Sequence, residues 1–318
     1  MTTRDHNSTL TTTFLQKRGV KSLFPSIHTV FPSAVVNRRA LNPGAYNPSI
    51  ISVNGKTLMS YRYHPAKTPH TKLAIAELDD KYNVVRKRDV DAQGGSIEDG
   101  RLFLVGGEPW ISYTVSQGPA GAWKCSIRYG RLVDAGDKWA VEGQHLVAHG
   151  ENSGTGMEKN WVFFEDAGRL NCFYKADQIL SIRGNEVANV SETKTPKWAW
   201  GTIRGGSVPF KHNGALLRFF HSRLDNEPRP TYWRYFVGAM LMEPEWPYTV
   251  LEVSKSPILY GSEIDSVPED ERREIFHHKP NVVFPCGAME RGDGWLLSVG
   301  VNDCECVLVK IEEKDLKL

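Results

Sequence analysis

Short apolar runs separated by turn residues dominate the hydrophobic pattern of this chain. Helical periodicity is nearly absent, and runs rich in β-branched and aromatic residues recur between Gly, Pro, Asn and Asp. One unit returns several times: a polar residue opens an apolar strand, a turn containing Gly follows, and a strand rich in Leu, Phe, Ser and Tyr comes back. The pattern therefore predicts an all-β fold built from repeats.

Five copies of this unit follow one another, and they open at Asn47, Glu98, Lys159, Arg204 and Pro280. A further apolar strand follows four of them, whereas after the third copy 178–182 is only a weaker candidate. Four strands make a propeller blade, which buries its faces only by stacking on neighbouring blades. The sequence predicts one five-bladed β-propeller over residues 46–318, with residues 1–45 as an N-terminal arm that offers a candidate ring-closing strand. The alternative architectures are a β-sandwich or two small β-domains. They would show similar strands but no polar residue at the same position of every repeat.

The repeated polar residues carry the functional prediction. Because the first strand of every blade lines the central channel of a propeller, these residues should face one shared cavity. The residues so placed are Asn47, Asp99, Asn160, Arg204 with Ser207, and Asn281, preceded by Glu98, Glu158 and Lys159. The second strands end in Arg62, Tyr113, Lys175, His221 and the pair Asn302 and Asp303. Such amide, carboxylate, guanidinium and imidazole groups suit a ligand covered in hydroxyls, so we expect a carbohydrate site. Turn capping is the alternative explanation for any single Asn or Asp, but a shared phase favours the channel.

Charge and cysteine content narrow the function classes. The 318 residues carry a formal net charge of +2 from 39 basic and 37 acidic residues mixed along the chain, so nucleic acid is not expected as a partner. No apolar run approaches a membrane span or a signal-peptide core, and we expect a cytoplasmic protein without a membrane partner. The odd cysteine count and irregular spacing predict reduced thiols, and the histidines lack the spacing of a metal site.

Several segments of the chain resemble glycoside hydrolase family 130, the β-mannoside phosphorylases and hydrolases. The most specific of them are Tyr46-Asn-Pro-Ser49, Ser96-Ile-Glu-Asp-Gly-Arg101, Gly205-Gly206, His221, the run from Tyr235 to Leu241, and Pro280-Asn-Val-Val-Phe-Pro-Cys-Gly287. The resemblance extends from about Tyr46 to Ile311 and implies a five-bladed propeller with its active site in the central channel.

The resemblance also implies roles for individual residues. It assigns Asp99 as the general acid that protonates the departing glycosidic oxygen, in an enzyme that cleaves β-mannosides with inversion. Asn47, Arg62 and Asp303 would bind the hydroxyls of the mannosyl unit. Channel position adds further candidates for substrate binding, namely Glu98, Asn160 and Asn281.

Phosphate is the candidate co-substrate, and no cofactor or metal is implied. The resemblance places His221 and Tyr235 at phosphate, and Lys175 and Arg204 are additional cationic candidates. The chain departs from the family where Gly100 replaces a usual Pro, where Thr202 or Arg204 stands for the Lys before the Gly-Gly turn, and where Lys175 stands for an Arg. A homo-oligomer is compatible with these features.

These departures leave the mechanism open. An inverting phosphorylase needs one protein acid and several cations for phosphate, whereas an inverting hydrolase needs a second carboxylate about 6.5–9.5 Å from the first. Glu98, Glu158 and Asp303 are candidates for that base, although Glu98 can equally be the buried partner of Arg101 or Arg62. A mannosyltransferase that uses an activated donor, or a non-catalytic sugar-binding propeller, are the alternative functions.

Overall fold

The computed structural model describes residues 33–35, 40–42, 44–65, 68, 70–119, 122–152, 156–224, 234–260, 279 and 282–318. These residues form β-strands joined by turns, with a single 3-10 turn at Glu313–Asp315 and no α-helix among them. The strands follow the predicted short apolar runs, because alternating side chains bury one or both faces of a sheet.

Blades 1 and 2 are four-stranded antiparallel units joined at their outer edges. Blade 1 consists of β2 (Tyr46–Val53), β3 (Lys56–Tyr63), β4 (Lys72–Leu78) and β5 (Val84–Asp91). Blade 2 consists of β6 (Ser96–Val105), β7 (Glu108–Gln117), β8 (Lys124–Asp134) and β9 (Trp139–Leu146). Parallel pairing of β5 with β9, at Val90 with Trp139, links the two blades into one sheet.

Blades 3, 4 and 5 are separate sheets. Blade 3 consists of β10 (Val162–Asp166), β11 (Arg169–Lys175), β12 (Gln178–Arg183) and β13 (Glu186–Glu192), so the weaker strand candidate at 178–182 is confirmed. Blade 4 consists of β14 (Thr202–Gly206), β15 (Phe210–His212), β16 (Ala215–Arg223), β17 (Tyr235–Met242), β18 (Val250–Val253) and β19 (Leu259–Tyr260). Blade 5 consists of β20 (Val283–Arg291), β21 (Gly294–Val301), β22 (Glu305–Glu312) and, at its outer edge, β1 (Ser33–Val35). The fifth sheet thus combines the first described strand of the chain with its last three.

The first strands of the blades surround a common axis. Strand β2 packs against β6 and β20, β6 also packs against β10, and β14 packs against β20. Apolar clusters fill the spaces between neighbouring blades; for example, Phe103 of blade 2 stacks on Phe163 of blade 3 with ring centroids 5.8 Å apart. Burial of each such side chain stabilises the fold by about 1.5–3 kcal/mol. The predicted five-bladed β-propeller is confirmed.

A β-bulge recurs in the inner strands and explains the repeated polar residue. The register shifts between Tyr46 and Ser49, between Glu98 and Arg101, and at corresponding points of blades 4 and 5. Asn47 and Asp99 lie inside the first two bulges with φ of 51° each, and Asn160, just before β10, has φ of 68°. Asn and Asp tolerate this left-handed conformation better than other residues with a Cβ, and a bulge re-aims the side chain it carries. Local conformation therefore turns these polar groups out of the sheet and towards the channel.

Candidate active site

All five blades contribute to a cavity of about 340 Å³ on the propeller axis. Ten of the predicted residues line it: Asn47, Arg62, Glu98, Asp99, Lys159, Asn160, Arg204, His221, Tyr235 and Asp303. Asn281 lies outside the described residues, and in the fifth blade the bulge itself falls at Cys286. The volume and the mixture of polar groups are typical of a small-molecule site.

The described residues of blade 1 donate hydrogen bonds to only one of the two carboxylate oxygens of Asp99. Its Oδ1 accepts hydrogen bonds from Asn47 Nδ2 at 2.8 Å and from Arg62 Nη1 at 2.9 Å. Its Oδ2 has no hydrogen-bond partner among the described residues. Arg62 is itself fixed, because its Cζ lies 4.3 Å from the centroid of the Tyr46 ring. The second oxygen of this carboxyl group is therefore the one available to a ligand.

Glu98 is the centre of a buried ion-pair network. Its Oε2 accepts from Arg62 Nη1 at 3.1 Å and from Lys159 Nζ at 2.7 Å, and its Oε1 accepts from Ser116 Oγ at 2.8 Å. Burial by itself would raise the pKa of Glu98, but Arg62 and Lys159 outweigh burial and lower the pKa to about 2. A carboxylate with such a low proton affinity and fully engaged oxygens is a poor general base. Of the two arginines considered as its partner, Arg62 fills that role.

Arg101 crosses the channel instead of pairing with Glu98. Its Nη1 donates to the carbonyl oxygen of Gly206 at 2.7 Å and to those of Pro285 and Cys286 at 3.2 Å each. These carbonyls belong to the bulged inner strands of blades 4 and 5. One side chain of blade 2 thereby ties three blades together at the axis.

Blade 4 contributes an arginine-rich wall that includes His221. The imidazole is buried between Tyr235 and Phe284, with ring centroids 5.8 Å and 4.5 Å away. Burial, followed by the charges of Arg101 and Arg204, lowers the pKa of His221 well below its ordinary value. His221 is therefore neutral near pH 7 and can donate a hydrogen bond without carrying a charge.

The sequence reasoning missed two cations that line the cavity, Arg223 and Lys279. Arg223 lies two residues after His221 on β16, so the period of two in a strand was a usable signal. Lys279 lies outside the strands and has no periodic signal; its Nζ pairs with Asp303 Oδ2 at 2.8 Å. Five described residues expected in the ring do not line the cavity: Ser207, Tyr113, Asn302, Glu158 and Lys175. Ser207 Oγ accepts a hydrogen bond from the backbone N–H of Phe219, and Tyr113 Oη donates to Gln144.

A second cavity of about 540 Å³ adjoins the first between blades 3 and 4. It shares Lys159, Asn160 and Arg204 with the central cavity, and Lys175 lies here rather than on the axis. Glu158 also lines it, but its two oxygens accept from Tyr174 Oη and Trp161 Nε1 at 3.1 Å each. The cations Lys159 and Arg204 therefore lie on the border between the two cavities.

Two negative findings apply to the described part of the chain. Within it, no three His, Cys, Asp or Glu side chains are grouped so as to hold a metal ion. No helix in the same residues has both the length and the apolar character needed to span a bilayer.

Comparison with known proteins supports the family resemblance. The sequence profile of a family described as β-1,4-mannooligosaccharide phosphorylase matches residues 15–317. A curated β-1,2-mannobiose phosphorylase from Listeria innocua serovar 6a is 26% identical over 210 residues, which are 65% of this chain and 55% of that protein. The aligned part thus spans only about half the length of the curated relative.

Solved structures share the fold. The crystal structure of the β-1,2-mannobiose phosphorylase from Listeria innocua with β-1,2-mannobiose has a TM-score of 0.59 at 16% identity, covering 92% of this chain and 95% of that one. A mannose phosphorylase from Leishmania mexicana in complex with phosphate also has a TM-score of 0.59, at 14% identity, covering 97% of this chain and 93% of that one.

Proposed function

The chain belongs to glycoside hydrolase family 130, and on that premise we propose that it is an enzyme that cleaves β-linked mannosides by phosphorolysis with inversion. Phosphorolysis is favoured over hydrolysis by the ionisation and hydrogen bonding of Glu98, which lines the cavity beside Asp99. Its low pKa and its three hydrogen bonds remove it as the base that a hydrolase needs.

Asp99 acts as the single general acid. Asn47 and Arg62 hold its Oδ1, so Oδ2 is the oxygen left to deliver a proton to the glycosidic oxygen. Asn47, Arg62 and Asp303 bind hydroxyls of the mannosyl unit, together with Asn160 and Asn281. Glu98 supports binding indirectly, since it fixes the orientation of Arg62.

Phosphate binds where the two cavities meet. Arg204 is shared by both cavities, Lys175 lines the adjoining cavity from blade 3, and His221 and Tyr235 line the central cavity from blade 4. Arginine and lysine bind phosphate oxygens through charge-assisted hydrogen bonds, and neutral His221 adds a donor. A phosphate oxygen attacks the anomeric carbon, the bond to the glycosidic oxygen breaks, and that oxygen takes the proton of Asp99. The products are α-mannose 1-phosphate and the shortened saccharide.

The test is phosphate dependence. The protein is incubated with β-1,2- or β-1,4-mannobiose in phosphate buffer and in phosphate-free buffer, and products are followed by ³¹P NMR and sugar chromatography. We expect α-mannose 1-phosphate only when phosphate is present. Free mannose formed at the same rate without phosphate would identify a hydrolase instead. Turnover only with an activated mannosyl donor would indicate a transferase, and binding without any turnover would indicate a sugar-binding propeller.

A further inference from the structure

Tyr46 supports the guanidinium group of Arg62 from the neighbouring strand. The two residues are partners in the register of β2 and β3, and the β-bulge that carries Asn47 begins immediately after Tyr46. Side chains of such a cross-strand pair lie on the same face of the sheet. Tyr46 is fully buried, and the Cζ of Arg62 lies 4.3 Å from the centroid of its ring. Ring and guanidinium are therefore in contact at the point where the backbone turns Asn47 towards the cavity.

Arg62 needs this support because its hydrogen bonds hold it at a single atom. Both hydrogen bonds that it donates to described residues come from Nη1, to Asp99 Oδ1 at 2.9 Å and to Glu98 Oε2 at 3.1 Å, whereas its Nε has no partner. A guanidinium group bonded through one nitrogen can pivot about that nitrogen. Contact with the face of the Tyr46 ring removes this freedom, because the ring attracts the cation and fixes its plane.

The Tyr46 ring is in turn oriented by His64. The Tyr46 hydroxyl lies 3.2 Å from His64 Nε2, and the planes of the two rings differ by 17°. His64 Nδ1 lies 2.8 Å from the carbonyl oxygen of Thr68, which can only accept, so Nδ1 carries a proton. Burial lowers the pKa of His64 below its ordinary 6.5, so near pH 7 the ring is neutral and its Nε2 is unprotonated. The Tyr46 hydroxyl is therefore the donor in its bond to His64.

We propose that Tyr46 and His64 are positioning residues for the general acid Asp99. His64 fixes the phenol ring, the ring fixes the plane of Arg62, and Arg62 holds Oδ1 of Asp99 so that Oδ2 is presented to the glycosidic oxygen. Neither Tyr46 nor His64 lines the central cavity, so both act through Arg62 and not on the substrate. The inference rests on the proposed phosphorolysis, in which Asp99 delivers the proton.

The kinetic test removes the two contacts of Tyr46 in turn. Y46F keeps the ring but loses the hydroxyl, so kcat for phosphorolysis of a mannobiose should fall about fivefold. Y46L also loses the ring and should lower kcat about 10²-fold, because the acid is then misplaced. H64L should match Y46F, and the double variant Y46F/H64L should be no slower than either single variant, because both remove the same hydrogen bond. Additive losses in the double variant would contradict the path from His64 through Tyr46.

Y61F is the matched control. Tyr61 is also fully buried, and its hydroxyl donates a hydrogen bond to Asn42 Oδ1 at 2.7 Å. It precedes Arg62 on β3, so its side chain points to the opposite face of the sheet. Y61F should therefore lose about as much stability in urea unfolding as Y46F but keep the wild-type kcat. An equal loss of kcat in Y61F and Y46F would show that Tyr46 acts through stability alone.

Crystal structures of the wild type and Y46L separate failure of this inference from failure of the proposed function. In Y46L the guanidinium of Arg62 should turn, and the distance from its Nη1 to Asp99 Oδ1 should exceed hydrogen-bond range. An unmoved Arg62 in Y46L would overturn the positioning role even in an active phosphorylase. A wild type without phosphorolysis would refute the proposed function, while the orientation of Arg62 would still decide the role of Tyr46. If Y46L does not fold, Y46F and H64L, which each remove a single hydrogen bond, decide it by the same crystallographic comparison.

Discussion

Blades 1 and 2 present two carboxylates to the cavity, each paired with a cation, whereas the lining residues that the structure describes in blade 4 include two arginines and no carboxylate. On the first side Glu98 and Asp99 share Arg62, and Lys159 reaches across from the entrance of blade 3. On the other side the described lining residues are Arg204, His221, Arg223 and Tyr235. Both sides are built on the same bulged strands, so the difference lies in the side chains and their long-range partners.

The contrast shows how one repeated backbone can hold two unlike reactants. The paired side offers neutralised, well-oriented groups, which suit uncharged hydroxyls and a single proton transfer. The cationic side lines the cavity with two guanidinium groups, which suit a dianion such as phosphate. If this division is correct, substitutions on the two sides will affect different kinetic parameters.

The largest effect is expected from D99N on the paired side. The amide keeps the shape of Asp99 but cannot deliver a proton, so kcat/KM for a mannobiose should fall about 10³-fold. Steady-state phosphorolysis assays measure this, with circular dichroism to verify the fold. D80N, at an exposed acidic residue, is the control and should retain wild-type activity. Activity of D99N within a few-fold of wild type would remove Asp99 from the mechanism.

The second prediction concerns the stability contributed by Glu98. Its folded pKa of about 2 lies below the ordinary 4.5, so its stabilising effect is complete above pH 4.5 and is lost as pH falls towards 2. This difference in pKa between the folded and unfolded states corresponds to about 3 kcal/mol of folding free energy. Urea unfolding of wild type and E98Q should therefore show a difference that is large at pH 6 and shrinks at pH 3.

E142Q controls for the simple loss of a carboxylate, because Glu142 forms an exposed pair with Arg131 and should contribute little. A difference between wild type and E98Q that does not change with pH would show that Glu98 is not held as an anion by its two cations.

The third prediction tests how closely the cationic side is packed. A Cβ at Gly205 would meet the carbonyl oxygen of Asn160 at 2.3 Å, so blades 3 and 4 can approach this closely only with glycine there. G205A should destabilise the protein by about 1–3 kcal/mol in urea unfolding and raise KM for phosphate. G95A is the control, because its nearest atom would lie at 3.3 Å. Wild-type stability and KM in G205A would show that this contact can relax freely.

The smallest effect is expected from K175M. Lys175 is exposed at the rim of the adjoining cavity, so solvent screens its charge and its loss should raise KM for phosphate only about tenfold. KM for the mannobiose should change little, and added salt should narrow the difference from wild type. K87M, at an exposed lysine of blade 1, is the matched control. A larger change in KM for the sugar than for phosphate would place Lys175 with the saccharide instead.

The sequence alone determined the architecture and most of the cavity lining. Strand alternation, turn residues and the repeated polar position are local signals, and Asn47, Asp99 and Asn160 adopt a left-handed conformation that their side chains tolerate. These residues occupy equivalent positions in the inner strands of blades that are arranged around one axis. Their side chains therefore point towards that axis. The same reasoning could have identified Arg223, since it lies two residues after His221 on β16 and therefore on the same face of the strand.

Only the tertiary structure decided which charges meet. Glu98 contacts Lys159 from 61 residues away, Arg101 bonds to the carbonyl of Gly206 from 105 residues away, and His221 is neutral because burial and distant arginines act on it. Ring closure brings these groups together, and their ionisation depends on burial and on neighbours that no local pattern encodes. Strand patterns are set by residues close in sequence, whereas charge pairing is set by distances that exist only after the blades have packed.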